Sequence, residues 1–365
     1  MHTLDDAPPE GGIPPLAPHD TIALLQHNVR HSSPTESIDD EQAMELAKAV
    51  NGVPLAIKLV SGIYNPKHRD TFAFLSQLKE RISSPGDGVP NIIQIIVEIA
   101  LDSAPISESP ECPRLLSILS FLPEGVPHYK SILHQLTPHF FDVDAAASIL
   151  LQTCLAQEMS AGALTLLPSI RRVVGKSRPI DEEVKEDLRG IMDFVYAALM
   201  KDEEELMAPA LLLGLPNTFR IFDYFLDNEA SIVVANKALN VAAVLAKRKG
   251  QVDKKTMEKI IRVFESLQDT SVLGRCYHCY SRLLYDLSRS SASREMAEKS
   301  LELYESIPDE LGMGTALIDI GLACAMADDH GQALKAYERG SKIFERLGDE
   351  VRMARCSYGM GCLGA

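Results

Sequence analysis

The sequence predicts a mainly α-helical chain: a helical bundle, a second unit of helices closed by a short hairpin, and an α-solenoid. Three observations predict it. Helix start and stop signals follow one another as far as Ser83, a helix–helix–helix–hairpin order spans 90–177, and the carboxyl-terminal third recurs with a period of 40.

In chain order, residues 1–17 hold Pro8, Pro9, Gly11, Gly12, Pro14 and Pro15 and read as a flexible leader. A first helix is predicted over His19–Val29 and a second over Asp39–Val50, with acidic residues in its first turn as the helix dipole favours. Asn51-Gly52 supplies a left-handed stop. Pro54 opens a third helix where its missing N–H costs nothing, followed by Leu55, Ile57, Leu59 and Val60. A fourth is predicted over Phe72–Ile82. These helices make a bundle over 18–83, and Ser83-Ser84-Pro85-Gly86-Asp87-Gly88 is a linker.

The second unit, 84–177, is predicted to have helices near 91–102, 111–121, 128–136 and 144–154, then a hairpin-like stretch through Gln157–Leu167. This order resembles a winged helix. A helical connector follows over 178–231, with helices at Asp187–Met200 and Glu203–Leu213.

The repeats occupy 232–365. Phe264, Tyr304 and Phe344 stand one period apart, as do Asp269, Asp309 and Asp349. Small residues keep the same step: Gly274, Gly314 and Ala354; Cys276, Ala316 and Cys356; Ser281, Gly321 and Gly361. Such a period marks stacked helical hairpins, because one hairpin cannot bury its apolar face alone. Gly321 and Cys324 in one helix, then Ala333, Tyr337 and Gly340 in the next, resemble the tetratricopeptide repeat (TPR). The stretch with Ser281, Ser293, Ala297 and Ser300 is looser, and 232–271, with Val241 in a small position, looser again. The usual TPR period is about 34; a step of 40 implies longer helices. The last repeat stops after its first helix without the polar cap that normally closes a solenoid. A truncated chain, or an end covered by something else, is the expectation.

Three pieces stand in one order: Asn51-Gly52-Val53-Pro54-Leu55-Ala56, then Arg114 through Gly125 with its Leu119-Ser120-Phe121-Leu122-Pro123 core, then Leu164 through Arg171. Over residues 13–177 this resembles the latter half of the NB-ARC module of STAND signalling ATPases, as in fungal and plant immune-receptor-like proteins, here joined to TPR-like repeats. The resemblance implies an ARC-like bundle at 18–83 and a winged helix that serves as a switch element. It also implies that Gly52, Pro54 and Leu55 form the turn beside the adenine of ADP. The sequence departs from the family at the phosphates. Its one Gly-Lys-Ser, Gly175-Lys176-Ser177, has Ile170 where the loop needs glycine, and Arg171, Arg172, Val173 and Val174 are too bulky for that loop. The family's Met-His-Asp signature would fall near Leu166–Ser169, which holds neither His nor Asp. The ADP or ATP site is therefore expected to be incomplete, and no enzyme is expected.

Composition narrows the partners. A net charge of −15 argues against nucleic acid and acidic membrane. Residues 111–177 carry five Lys/Arg and five Asp/Glu, without the basic excess of a DNA reader, so a winged-helix transcriptional regulator is the weakest of three readings. The longest apolar stretch, Ile92–Leu101, is interrupted by Gln94 and Glu98 and is too short to span a bilayer. Seven cysteines, an odd number, with three in repeat columns, predict a reduced, cytoplasmic chain.

Cys276-Tyr277-His278-Cys279 has zinc-like spacing but is half a tetrahedral site, and Cys276 sits in a packing column, so no metal is expected. His19, His27, His31, His128, His134 and His139 show no pairing with a nucleophile, and no catalytic constellation emerges. Arg275, His278, Arg282 and Tyr285 form one stripe of a first helix, at i, i+3, i+7 and i+10. First helices line the groove of TPR arrays, so this stripe is the candidate surface for an acidic peptide or protein, against the simpler reading of a solvated face. The functional expectation is a non-catalytic regulatory or scaffold protein acting by protein–protein interaction. The alternative is a fragment of a nucleotide switch whose phosphate loop lies outside this chain.

Overall fold

The computed structural model describes residues 15–32, 38–63, 76–81, 91–160, 162–200, 215–229, 231–247 and 254–363. The predicted helix at Glu203–Leu213, both ends of that at Phe72–Ile82 and most of the leader lie outside them; residues 76–81 are helical. The architecture is mainly α, with one two-stranded sheet among the described residues. It divides into two compact units, Met1–Ile191 with Leu212–Asn217, and Met192–Leu211 with Thr218–Ala365.

The first unit begins with α1 (Pro18–Ser32), α2 (Asp40–Val50) and α3 (Pro54–Ile63). Asp39 caps α2 by accepting from the Gln42 amide at 2.7 Å, which satisfies a donor the helix cannot use. Asn51 and Gly52 end α2 with φ of 49° and 68°. Leu46, Val50, Ile57, Leu59 and Val60 are buried in the core that these helices share.

Next come α4 (Ile92–Leu101), α5 (Ala104–Ser107), α6 (Glu111–Phe121), α7 (Tyr129–Leu136) and α8 (Val143–Gln152). Strands β1 (Gln157–Glu158) and β2 (Leu164–Thr165) pair antiparallel, Gln157 opposite Thr165, and Val126 bridges the other side of β2 at Leu164. Helix α9 (Pro168–Ser177) contains Gly175-Lys176-Ser177, so that triplet belongs to a helix and not to a phosphate loop. Helices α10 (Glu182–Met200) and α11 (Leu215–Asn228) follow. Arg114 on α6 donates to both oxygens of buried Asp187 on α10, at 2.6 and 3.0 Å, and lies over the Phe140 ring.

The second unit contains α12 (Ile232–Lys247), α13 (Lys254–Leu267), α14 (Thr270–Asp286), α15 (Ser290–Ser306), α16 (Glu310–Met326), α17 (His330–Leu347) and α18 (Glu350–Leu363). Helices α14 to α17 are 17 or 18 residues long, which accounts for the long step of the period. The columns of the period each do one physical job. The amides of Asp309 and Asp349 return to the Tyr304 and Phe344 carbonyls at 3.0 and 2.9 Å, closing the preceding helix. The side chains of Asp269, Asp309 and Asp349 then cap the next helix, accepting from Val272, Gly312 and Arg352 at 3.1, 2.9 and 2.9 Å. The aromatic column fills the space left by the glycine column: a Cβ at Gly274 would lie 3.0 Å from the Tyr304 ring, and one at Gly314 2.7 Å from Phe344. Where α14 and α15 cross at Ser281 and Ser293, each hydroxyl donates to the other's carbonyl at 2.9 Å, so a polar pair is buried without loss.

Candidate functional site

The predicted stripe lies on α14, and the structure separates its members. Arg275 reaches toward α12, donating to Asn236 at 3.4 Å. His278 and Arg282 face α16, where both meet Asp319. The His278 Nδ1 lies 2.5 Å from one oxygen, and the Arg282 guanidinium 3.6 Å from the other. Asp319 is 3% exposed, while His278 and Arg282 keep 27% and 29% of their side-chain surface. A carboxylate oxygen accepts, so the Nδ1 proton points at Asp319 and Nε2 is the ring nitrogen left over. Arg282 also lies 5.7 Å from the centre of the Tyr285 ring, within cation–π range.

Two adjoining concavities open along these helices. The first, about 420 Å³, is lined by His278, Arg282, Thr315, Asp319, Arg352 and Arg355, with Ala243, Cys279 and Ile318. The second, about 790 Å³, is walled mainly by apolar side chains: Tyr285, Ile318, Leu322, Met326, Tyr337 and Tyr358. Arg282, Ile318 and Arg355 line both. Together they form one groove along the first helices of successive hairpins, α14, α16 and α18.

The stripe predicted from the sequence ends at α14, but the groove continues beyond it. Moving Arg275, His278, Arg282 and Tyr285 forward one period gives Thr315, Ile318, Leu322 and Ala325, and all four line the groove. A second step gives Arg355, Tyr358 and Cys362, which line it too. The period itself was thus the signal. Asp319 was missed as well, although a lone carboxylate among Leu317, Ile318 and Ile320 is a signal in its own right.

Gly52 lies in the first unit. It lines a concavity of about 480 Å³ with Pro15, Leu16, Ile22, Met44, Lys48 and Asn51, among others; Pro54 and Leu55, half-buried at the start of α3, do not line it. The Leu16 amide donates to the Gly52 carbonyl at 2.8 Å, and a Cβ on Gly52 would collide with the Leu16 carbonyl oxygen. The walls suit a flat apolar ring. They do not suit a diphosphate, because Lys48 is the one cation among the lining residues.

Cys276 is fully buried in its packing column, and burial pushes its thiol far up, away from the thiolate that a metal needs. Among the described residues no group of three or more His, Cys, Asp or Glu side chains converges as a metal site would require. Among them, too, no helix is long and apolar enough to cross a membrane.

Residues 272–346 match the family model of the tetratricopeptide repeat. The match covers α15, α16, nearly all of α14 and α17, and the caps and glycine–aromatic contacts between them. A solved structure, that of a signal transduction ATPase with numerous domains (STAND) carrying a tetratricopeptide repeat sensor, from Pyrococcus horikoshii, is similar over 96% of this chain at 16% identity and a TM-score of 0.41. This chain spans 50% of that protein's length. No curated protein matches the chain.

Proposed function

We propose that this chain is a non-catalytic regulatory or scaffold protein of the STAND class that holds a protein partner in the groove of its TPR-like repeats. In this reading residues 18–83 are an ARC-like bundle, 84–177 a winged helix, 178–231 a connector and 232–365 the sensing repeats of a cytoplasmic signalling protein. One observation carries the reading. Three successive first helices, at the same position of the period, present Arg282, Leu322 and Cys362 toward one continuous groove, with Tyr285 and Ala325 beside them. A face that recurs by period without burying itself in the core is a binding face in a solenoid.

The test is site-specific photo-crosslinking in cells. A photoreactive residue at Thr315, inside the groove, captures a discrete protein, whereas one at Glu302, an exposed position on α15 that lines neither concavity, does not. Equal capture at both positions contradicts the reading.

The apolar concavity beside Gly52 favours a second reading, in which this chain is the latter part of an ADP-dependent switch and Gly52, Pro54 and Leu55 lie on the adenine side. Its phosphate contacts then come from residues outside the chain. Thermal unfolding of the full chain with and without ADP separates the two: a clear rise in midpoint supports the switch, and no change supports the non-catalytic scaffold.

A further inference from the structure

The guanidiniums of the groove differ in how much of their hydrogen-bonding capacity is already used. Arg352 is held by Asp349 at the start of its own helix. Arg282 approaches Asp319 as an ion pair at 3.6 Å, beyond hydrogen-bond reach, and otherwise rests over Tyr285. Arg355 is exposed and makes no ion pair among the described residues. A guanidinium carries five donors in a planar fork suited to a carboxylate. The two cations with donors to spare, Arg282 and Arg355, are also the two that line both concavities.

Charge in the groove opposes the charge of the chain. The whole sequence carries −15 with histidine neutral, yet on the same count the residues lining the two concavities hold three cations, Arg282, Arg352 and Arg355, against the single carboxylate of Asp319. That carboxylate is buried and already faces His278 and Arg282. A second carboxylate arriving from outside meets a surplus of donors and, among the lining residues, no acid besides Asp319. Next to these cations the wall becomes apolar, and two side chains of α18 stand out from it: Val351 is 75% exposed and Tyr358 76%.

Resting on the groove reading above, we propose that the repeats recognise an acidic peptide segment in which Asp or Glu stands beside a bulky apolar residue. The carboxylate lies between Arg282 and Arg355, and the apolar side chain enters the wider concavity against Tyr285, Leu322 and Tyr358. The groove takes this segment from a protein partner. A phosphate backbone would satisfy the two guanidiniums but leave the apolar wall unmatched.

The experiment is selection of a random peptide library displayed on phage against the full 365-residue chain, with selected sequences then measured by fluorescence anisotropy. The expected consensus pairs Asp or Glu with Leu, Phe or Met. Arg355→Glu lowers the affinity at least tenfold, Tyr358→Ala lowers it severalfold, and added salt weakens it. Both residues are exposed, so neither change threatens the fold, and circular dichroism confirms that the variants are as helical as the parent. A basic or purely apolar consensus that still depends on Tyr285 and Tyr358 overturns the acidic chemistry and leaves the groove reading standing. Peptides indifferent to both Arg355→Glu and Tyr358→Ala overturn the two together. Binding of an oligonucleotide in place of peptides, lost in Arg355→Glu, overturns the proposal in favour of a phosphate ligand.

Discussion

At Gly62 in the first unit a Cβ would stand 2.8 Å from the backbone of Thr153; at Gly314 in the repeats it would stand 2.7 Å from the ring of Phe344. Other glycines follow the same division. A Cβ at Gly125 would collide with the Leu164 carbonyl, while one at Gly321 would stand 2.5 Å from the Tyr337 ring. The first unit therefore packs backbone on backbone between segments far apart in sequence. Asn217 shows the same habit: its side chain accepts from the Glu124 amide at 3.1 Å and donates to the Gly125 carbonyl at 2.7 Å, linking segments distant in the chain. The repeats pack side chain into the space of a missing side chain, between neighbouring helices, and do so again one period later. A contact between side chains can be retuned by exchanging one of them, whereas a backbone contact cannot.

Four changes break or sharpen this contrast, in falling order of effect. Asp187→Ala removes both short hydrogen bonds from the Arg114 guanidinium, leaving it over Phe140 with only the 3.9 Å approach of exposed Glu183, and should cost about 3 kcal/mol, the low end for breaking a largely buried pair. Denaturant unfolding should show the loss in the first unit, with the repeats unaffected. Next, Gly62→Ala should cost about 2 kcal/mol by overpacking, and Thr153→Ser should not relieve it, because the obstacle is the Thr153 backbone. Gly314→Ala should cost about 1–2 kcal/mol, but here Phe344→Leu should recover part of the loss. A double-mutant cycle on the midpoints measures that coupling, and a cycle showing none would erase the distinction between the units. Smaller again, Asp309→Ala removes the cap of α16 for about 1 kcal/mol, read as a lower thermal midpoint of the repeats.

The gentlest probe is pH. Burial pushes Tyr304 and Tyr337 up from 10.0 to about 12. A raised folded value favours the protonated ring, so this stability is complete below pH 10 and is lost as pH rises toward 12. At about pH 10.5 the loss should be under about 1 kcal/mol for each ring, and solvent screening trims it further. Tyr304→Phe should flatten its share of the decline in a series of chemical denaturations.

Much of the repeat unit was legible in the sequence because each contact recurs. Asp309, Gly314 and Phe344 mark a cap, a gap and its filler, and a column of like residues one period apart shows each of them. Helix limits in the first unit were legible too, from Asp39, Asn51-Gly52 and Pro54, whose effects are local. Contacts made once, between distant residues, left no trace. Nothing near Asn217 points to Gly125, and nothing near Arg114 points to Asp187. In the groove, the stripe on α14 could be read from helical spacing. Its extension changes chemistry from His278 to Ile318 and then to Tyr358, and a change of residue type hides a recurring position. Asp319 follows His278 by one position more than the period, so the pair that anchors the cations falls in no column.

Partner binding by the groove is read out by calorimetric titration of a partner captured at Thr315 into the full chain carrying Arg282→Ala and Tyr285→Ala. Gly62→Ala serves as the control that destabilises the first unit without touching the groove. The groove variants should lose at least tenfold in affinity with their helical content retained, and the control should bind with unchanged affinity. Undiminished binding by the groove variants would contradict partner binding by the groove.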